Sequence, residues 1–215
     1  MDLKYWNLTV STLSDLSDAL PLMAILLSKS AQSKILGAYF LFSFCIKLTT
    51  IVLIFFFQAS NTHVFYHLLA PVEFTCIFLY YTKLLNWSSQ KQCIVITIVL
   101  LLNILNSMLL QSTRTFNSHP WSIHTFLLLL LSFRYLYLLY LSAQDIRLEI
   151  HPGFIINAGF LLYFSGSLFT YLLGFSILSQ DPIGFFANGW IIQAVANILK
   201  NVLVSYGIGR SNGHQ

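Results

Sequence analysis

The sequence predicts an all-helical integral membrane protein: one bundle of seven transmembrane helices over residues 1–215, with no extramembrane domain. Three observations predict it. Of the 215 residues, 57% are hydrophobic. Only 8% are charged, whereas soluble domains carry about a quarter, and so little charge cannot cover a water-facing surface of this size. The apolar residues also fall into seven runs, each near the ~20 residues that a helix needs to cross a bilayer.

The runs are approximately Leu8–Ser28, Ile35–Gln58, Val64–Leu85, Cys93–Gln111, Pro120–Ala143, Phe154–Leu178 and Ile183–Tyr206. Lipid offers no partner to backbone polar groups, so they must be helices. They lack the polar/apolar alternation of a barrel strand. The first run contains Asp15 and Asp18, so its alternative is an interfacial amphipathic helix beside six spans. Asp181–Pro182, Ser118–His119–Pro120 and His151–Pro152–Gly153 mark helix starts. No cleavable signal peptide is expected, because Asp2, Asp15 and Asp18 interrupt the N-terminal segment.

Net charge is +4, from 11 Lys+Arg against 7 Asp+Glu. The basic residues are scattered between apolar runs, with no nucleic-acid motif, so nucleic acid is excluded as a partner. They carry topology information instead. With the N-terminus outside, the inner segments hold Lys29, Lys34, Lys83, Lys91, Arg147 and Arg210, and the outer ones Lys4 and Arg114. Positive residues favour the inner side, giving an N-out, C-in chain. Trp6, Trp87 and Trp121 fall near span ends as interfacial anchors. Cys45, Cys76 and Cys93 form no CxxC pair, so they are expected to be small buried hydrophobes.

Ionisable groups inside spans are costly and usually face the bundle interior. Here they are Asp15, Asp18, Lys47, Glu73, Arg134 and Lys200. Lys200 sits deeper toward the inner side, where it could instead snorkel to the surface. Each of Pro21 and Pro71 frees the carbonyl four residues earlier, at Ser17 beside Asp18 and at His67 in the turn before Glu73. His63 and His67 are one helical turn apart, with His124 on the same outer side. That is a weak metal candidate, because zinc wants three or four protein ligands, and no metal is assigned. Gln193, Asn197 and Lys200 or Asn201 form one polar stripe on the last span. Asn103, Asn106 and Asn157 add to a hydrogen-bonded interior. Gly159, Ser165, Gly166 and Ser167 suit close helix packing. The polar-core or ligand-binding candidates are therefore Asp18, Lys47, His67, Glu73, Arg134, Asn197 and Lys200.

A lysine in the last span with an acid in the third resembles retinal proteins, which would make Lys200 the Schiff-base lysine and Glu73 its counterion. The resemblance stops there. Ala196 stands where microbial rhodopsins usually carry an acid, and the sixth span has no tryptophan. No cofactor is expected. The stretches Tyr66-His67-Leu68-Leu69-Ala70-Pro71-Val72-Glu73-Phe74 and Ala196-Asn197-Ile198-Leu199-Lys200-Asn201 resemble features of small bacterial seven-helix integral membrane proteins. That resemblance implies a bacterial inner (plasma) membrane and a possible signalling-kinase partner, and brings no catalytic residues with it.

Four functions compete on these residues. A sensor or receptor-type module would signal through a partner protein, since the chain has no output domain. A small-solute or proton-coupled transporter would use Glu73, His67 and Lys200 as a relay, although no inverted repeat is visible. A lipid-acting enzyme lacks any signature such as HExxH or GxSxG. A structural or assembly subunit would use its charges only to hold helices together. The sensor reading is the expectation.

Overall fold

The computed structural model describes residues 3–28, 31–59, 61–142, 147–180 and 190–211. The helices are α1 (Leu3–Leu16), α2 (Ala19–Leu26), α3 (Ala31–Phe57), α4 (His63–Leu84), α5 (Ser89–Leu109), α6 (Ser118–Ser142), α7 (Pro152–Gln180) and α8 (Trp190–Ser211). A short 3-10 turn, Leu148–Ile150, precedes α7. No strand occurs among the described residues.

Among the described residues six stretches are long and apolar enough to cross a membrane: Lys34–Phe57, His63–Leu84, Ser89–Leu109, Ser118–Ser142, Pro152–Leu172 and Trp190–Ser211. The shortest have 21 residues, about 31 Å of helix at 1.5 Å per residue, which matches a bilayer core of about 30 Å. Their outer faces are apolar. Phe56, Phe57, Met108, Leu109, Tyr140 and Phe169 are all highly exposed, a surface that water disfavours and lipid accepts.

The first expected span differs from a single helix. It is broken at Ser17–Asp18 into α1 and α2, and neither piece is long enough alone. The cause is Pro21, which has no N–H for the Ser17 carbonyl. The Leu20 N–H reaches that oxygen instead, at 3.0 Å. α4, by contrast, runs unbroken through Pro71. α1 and α2 lie antiparallel to α3: Ile25 meets Gly37, Asp18 meets Ser43, and Asp15 faces Lys47. They run parallel to α8, where Ser14 meets Asn197 and Asp18 meets Asn201.

The expected helix starts at Ser118–His119–Pro120 and His151–Pro152–Gly153 coincide with the beginnings of α6 and α7. Asp181–Pro182 and the beginning of the seventh expected run lie outside the described residues. Two expectations are corrected. Trp121 is not an interfacial anchor: it is 4% exposed and packs on Tyr171, because it falls on the inward face of α6. Cys45 and Cys93 face outward rather than inward, while Cys76 is half-buried.

The tightest packing joins α7 to α8. A Cβ on Gly159 would lie 3.1 Å from both the Leu203 Cβ and the Lys200 carbonyl, and one on Gly166 would lie 3.0 Å from the Ala196 Cβ. On Gly207 it would come within 2.6 Å of Ile156. Small residues here let the helix backbones approach, which is how helices associate where lipid supplies no hydrophobic drive. Gly159→Leu should therefore lower the thermal midpoint in detergent, at an overpacking cost of about 1–3 kcal/mol. Gly209, with open space around its missing Cβ, should accept alanine without loss. Equal destabilisation by both substitutions would contradict this packing.

Candidate functional site: a buried ionic layer under a one-ended cavity

The broken N-terminal helix delivers Asp18 to the middle of the bundle, fully buried. A carboxylate there needs a counter-charge and hydrogen bonds to offset its desolvation. Lys47 on α3 donates to Oδ2 at 2.8 Å, and Ser43, one turn earlier, donates to the same oxygen at 2.6 Å. Asn201 on α8 donates to Oδ1 at 2.7 Å and to the Ser17 hydroxyl at 2.6 Å. Asn197, also on α8, donates to the Ser14 carbonyl and hydroxyl at 3.0 Å each. Asp15 stands 3.9 Å from Lys47, its side chain 24% exposed.

The second half of the layer is built around Glu73 and Lys200. Both are buried, Lys200 completely. They are joined by Tyr39: the Lys200 ammonium donates to the Tyr39 hydroxyl at 2.9 Å, and that hydroxyl donates to Glu73 Oε2 at 3.0 Å. Three rings surround the ammonium, with centroids at 4.4 Å for Tyr163, 5.2 Å for Tyr39 and 5.3 Å for Phe40. Ring faces attract a cation, most strongly where water is excluded. Lys200 therefore does not snorkel. The other Glu73 oxygen accepts from Tyr163 at 3.4 Å. Tyr163 meets the Tyr171 hydroxyl at 3.2 Å, and Gln193 donates to Tyr171 at 3.3 Å.

Two cavities lead to this layer from the end of the bundle that carries the α3–α4 turn. The outer one, about 460 Å³, is lined by Ser11, Thr12, Asp15, Thr50, Ile51, Ile54, Phe55, Ala59, Asn61, Thr62, His63, Tyr66, Phe116 and Trp190. Its size falls within the usual range for small-molecule sites, roughly 300–1,000 Å³. Beneath it lies a chamber of about 20 Å³ bordered by Asp15, Lys47, Glu73, Tyr163, Tyr171 and Gln193, among others. That is room for about one water molecule. The two share Asp15, Tyr66, Phe116 and Trp190. On the far side of the layer, Leu36, Phe40, Phe160 and Val204 are each at most 1% exposed and close the interior with apolar packing. A separate cavity of about 310 Å³ at that opposite end is lined by Tyr80, Tyr135, His151 and Ile208 among others, and does not reach the ionic layer. Burial pushes the His151 imidazole below its usual pKa.

Of the residues expected in a polar core, Asp18, Lys47, Glu73, Asn197 and Lys200 come together. Arg134 does not. The inward positions of α6 include Trp121, Thr125, Leu128, Ser132 and Leu139, and Arg134 is out of phase with them on the exposed side, over the ring of Tyr137. His67 also points elsewhere. Its Nδ1 meets the Ser107 hydroxyl and its Nε2 the Thr115 carbonyl, both at 3.0 Å. A carbonyl can only accept, so Nε2 carries the proton. That clamp ties α4 to α5 and to the turn before α6. Among the described residues no three potential metal ligands gather, at His63 and His67 or elsewhere. Asn157 accepts from Tyr81 and Ser132 at 2.8 Å each and serves as a joint between α4, α6 and α7.

The sequence reading missed Tyr39, Ser43, Tyr163 and Tyr171. A signal existed: Tyr39–Ser43–Lys47 on α3 and Tyr163–Ser167–Tyr171 on α7 are each spaced by four, one stripe per helix. Tyrosine in an apolar run passes for an ordinary hydrophobe, and the hydroxyl is what matters here.

Fold and site together define a helical bundle with, among the described residues, six helices suited to crossing a membrane and a buried ionic centre next to a cavity at one end. Compared with known proteins, the chain matches no protein-family model, no curated protein and no solved structure.

Asp18→Asn leaves the Lys47 ammonium without its close partner and should cost about 3–5 kcal/mol, as breaking a buried pair does. Asp18→Asn combined with Lys47→Met should cost less than the sum of the two single changes. Arg134→Ala should stay within about 0.5 kcal/mol of the parent. Unfolding in mixed detergent with rising dodecyl sulfate measures these three and the single change Lys47→Met. Additive behaviour of Asp18→Asn and Lys47→Met would remove the pair from the account of stability.

Proposed function

We propose that the protein is a sensor or receptor-type membrane module, of a bacterial inner membrane, that binds a small ligand from outside and signals through a partner protein inside. The observation that carries this is the cavity at the α3–α4 end that leads to a buried ionic layer, with apolar packing on the layer's other side among the described residues. A conduction path would need continuity to both faces, and the apolar packing of Leu36, Phe40, Phe160 and Val204 opposes it.

In this reading α1 and α2 together make a seventh crossing. Support comes from their antiparallel pairing with α3, from Ile25 at one end to the cavity residues Ser11 and Thr12 at the other. The chain is then N-out and C-in. The exposed Lys34, Lys83, Lys91, Arg147 and Arg210 cluster at the end away from the cavity, as inner loops should. The break at Ser17–Asp18 is the natural element to move. It carries the carboxylate that α3 and α8 both hold, so a ligand acting on that carboxylate's surroundings would shift α1 against α8. A shift of helices is a common form of switching. A signalling kinase fits the resemblance of the Tyr66–Phe74 and Ala196–Asn201 stretches.

One observation favours a second reading, a proton-coupled carrier. Gln193, Tyr171, Tyr163, Glu73, Tyr39 and Lys200 form a continuous hydrogen-bonded chain, and intramembrane titratable groups often mark ion paths.

Three measurements follow. In a background lacking Cys45, Cys76 and Cys93, Ser112→Cys should react with an impermeant maleimide on intact cells and Ser88→Cys should not; the reverse pattern would invert the orientation. A chemically mixed small-molecule panel should contain a compound that raises the thermal midpoint of the detergent-purified protein, an effect lost when Ser11→Trp fills the cavity. A panel without any such compound sinks the receptor reading. Proteoliposomes should show no proton flux above protein-free vesicles; a flux abolished by Glu73→Gln would establish the carrier instead.

A further inference from the structure

The receptor reading leaves the ligand's chemistry open, and the lining of the outer cavity narrows it. Three carboxylates, Asp15, Asp18 and Glu73, face two ammonium groups, Lys47 and Lys200. Arg134, which would have balanced them, lies on the outer face of α6. Counted by side chains, the layer holds one more carboxylate than it has ammonium groups.

The excess falls on Asp15. Lys47 is committed to Asp18 at 2.8 Å and lies 3.9 Å from Asp15. Glu73 takes hydrogen bonds from Tyr39 and Tyr163 and reaches Lys200 through Tyr39. Asp15 is also the one carboxylate that borders both cavities, and the only Asp, Glu, Lys or Arg lining the outer one among the described residues.

Beside Asp15, Tyr66, Phe116 and Trp190 line the outer cavity as a mutually edge-on set. Their centroids are 6.4 Å apart for Tyr66–Phe116, 6.5 Å for Tyr66–Trp190 and 5.7 Å for Phe116–Trp190. Thr50 lines the same cavity. It is 4% exposed, and its hydroxyl has no hydrogen-bond partner. An unanswered buried hydroxyl costs free energy unless a bound molecule meets it.

We propose that this cavity binds a small organic monocation, an amine or quaternary ammonium group on a short polar-tipped body, with Asp15 as counter-charge and Tyr66, Phe116 and Trp190 as its aromatic wall. The inference rests on the receptor reading and names its ligand class. A carboxylate next to aromatic faces is the standard way to hold such a cation, each ring adding to the attraction once water is displaced. An anion would meet Asp15 with no Lys or Arg on the cavity wall among the described residues. A purely apolar ligand would leave both Asp15 and the Thr50 hydroxyl unanswered. Whether the cation arrives free or as a lipid headgroup, the contacts are the same.

The test uses the full chain in maltoside detergent, titrated with choline, with its uncharged carbon isostere 3,3-dimethylbutan-1-ol, and with 3,3-dimethylbutanoate. Tryptophan fluorescence and the thermal midpoint report binding. Choline should bind and raise the midpoint, while the isostere binds at least about tenfold more weakly, the scale expected for a cation held against ring faces and a counter-charge with water displaced. Asp15→Asn should remove that preference while leaving the Asp18–Lys47 pair and the folded yield intact. Should Asp15→Asn fail to fold, Phe116→Leu replaces it, and the choline preference should shrink in the same direction. Competition by added phosphatidylcholine would assign the cation to a lipid headgroup, and its absence to a free amine. Equal binding of choline and its isostere, or tighter binding of the butanoate, overturns the cation proposal while the receptor reading stands. If none of the three binds but another panel member fills the cavity, the proposal likewise falls alone. If nothing binds at all, both fall.

Discussion

A carboxylate and an ammonium group withdrawn from water set the terms for this bundle. Asp18 is fully buried, and a lone charge in that position would be strongly destabilising. Its oxygens must be answered by Lys47, Ser43 and Asn201. Those partners sit on two helices distant in sequence, so satisfying one side chain fixes the height and rotation of the broken N-terminal helix against both α3 and α8. Hydrophobic contact alone would not do this, because apolar helix faces slide with little penalty where lipid competes as an equal neighbour. A buried pair is weak evidence for stability, and its better-attested role is register. That is its role here.

The same requirement propagates into the second half of the layer. Lys200 can remain buried because its ammonium has a hydroxyl to donate to and three ring faces around it. Those rings come from α3 and α7, so α7 must lie close to α8. The glycines at 159, 166 and 207 permit that approach. Tyr39 is the shared member: it accepts from Lys200 and donates to Glu73, and it lies two turns from Lys47 on the same face of α3. Helix spacing, the aromatic shell and the ionic layer therefore depend on one another. The apolar clusters on either side, around Phe74 and Phe160 and around Trp121 and Tyr171, exclude the water that would weaken these contacts.

The helical, lipid-suited architecture was legible because 20-residue apolar runs admit few other structures. The break in the first run was half legible. Pro21 pointed to a freed carbonyl at Ser17, but the run's apolar content still read as one helix. The members of the ionic layer were visible as charges out of place, yet their pairing was not. Pairing depends on rotation about each helix axis, and a run that is hydrophobic all round gives no phase. Arg134 shows the consequence: its charge suggested the interior, and one face of α6 too many separated it from the acids. His67 shows a different failure. Six residues separate it from Glu73, a step that leaves the two on different faces of α4 and turns His67 toward Ser107 and Thr115. The tyrosines were hidden by their dual character, ring in the apolar tally and hydroxyl in the site.

Charge balance then links the site to what the bundle can do. With Arg134 on the outer face, two buried bases stand beside three acids, and Asp15 is the carboxylate nearest the opening. A carboxylate at the mouth of such an interior is a poor arrangement for conduction, since an ion attracted there meets Lys47 and then packed apolar side chains. It is a good arrangement for detection. In the proposed receptor, a cation held in the cavity would change the field at Asp15, within a turn of the Ser17–Asp18 break. There the helix lacks its regular hydrogen bond and is held mainly by Lys47, Ser43 and Asn201. A ligand can shift a conformational equilibrium only by as much as its affinity differs between the two states. Asp15 and Asp18 share Lys47. Neutralising the first would therefore strengthen the claim of the second on that ammonium, which places the proposed response at the joint between α1 and α2 that carries Asp18.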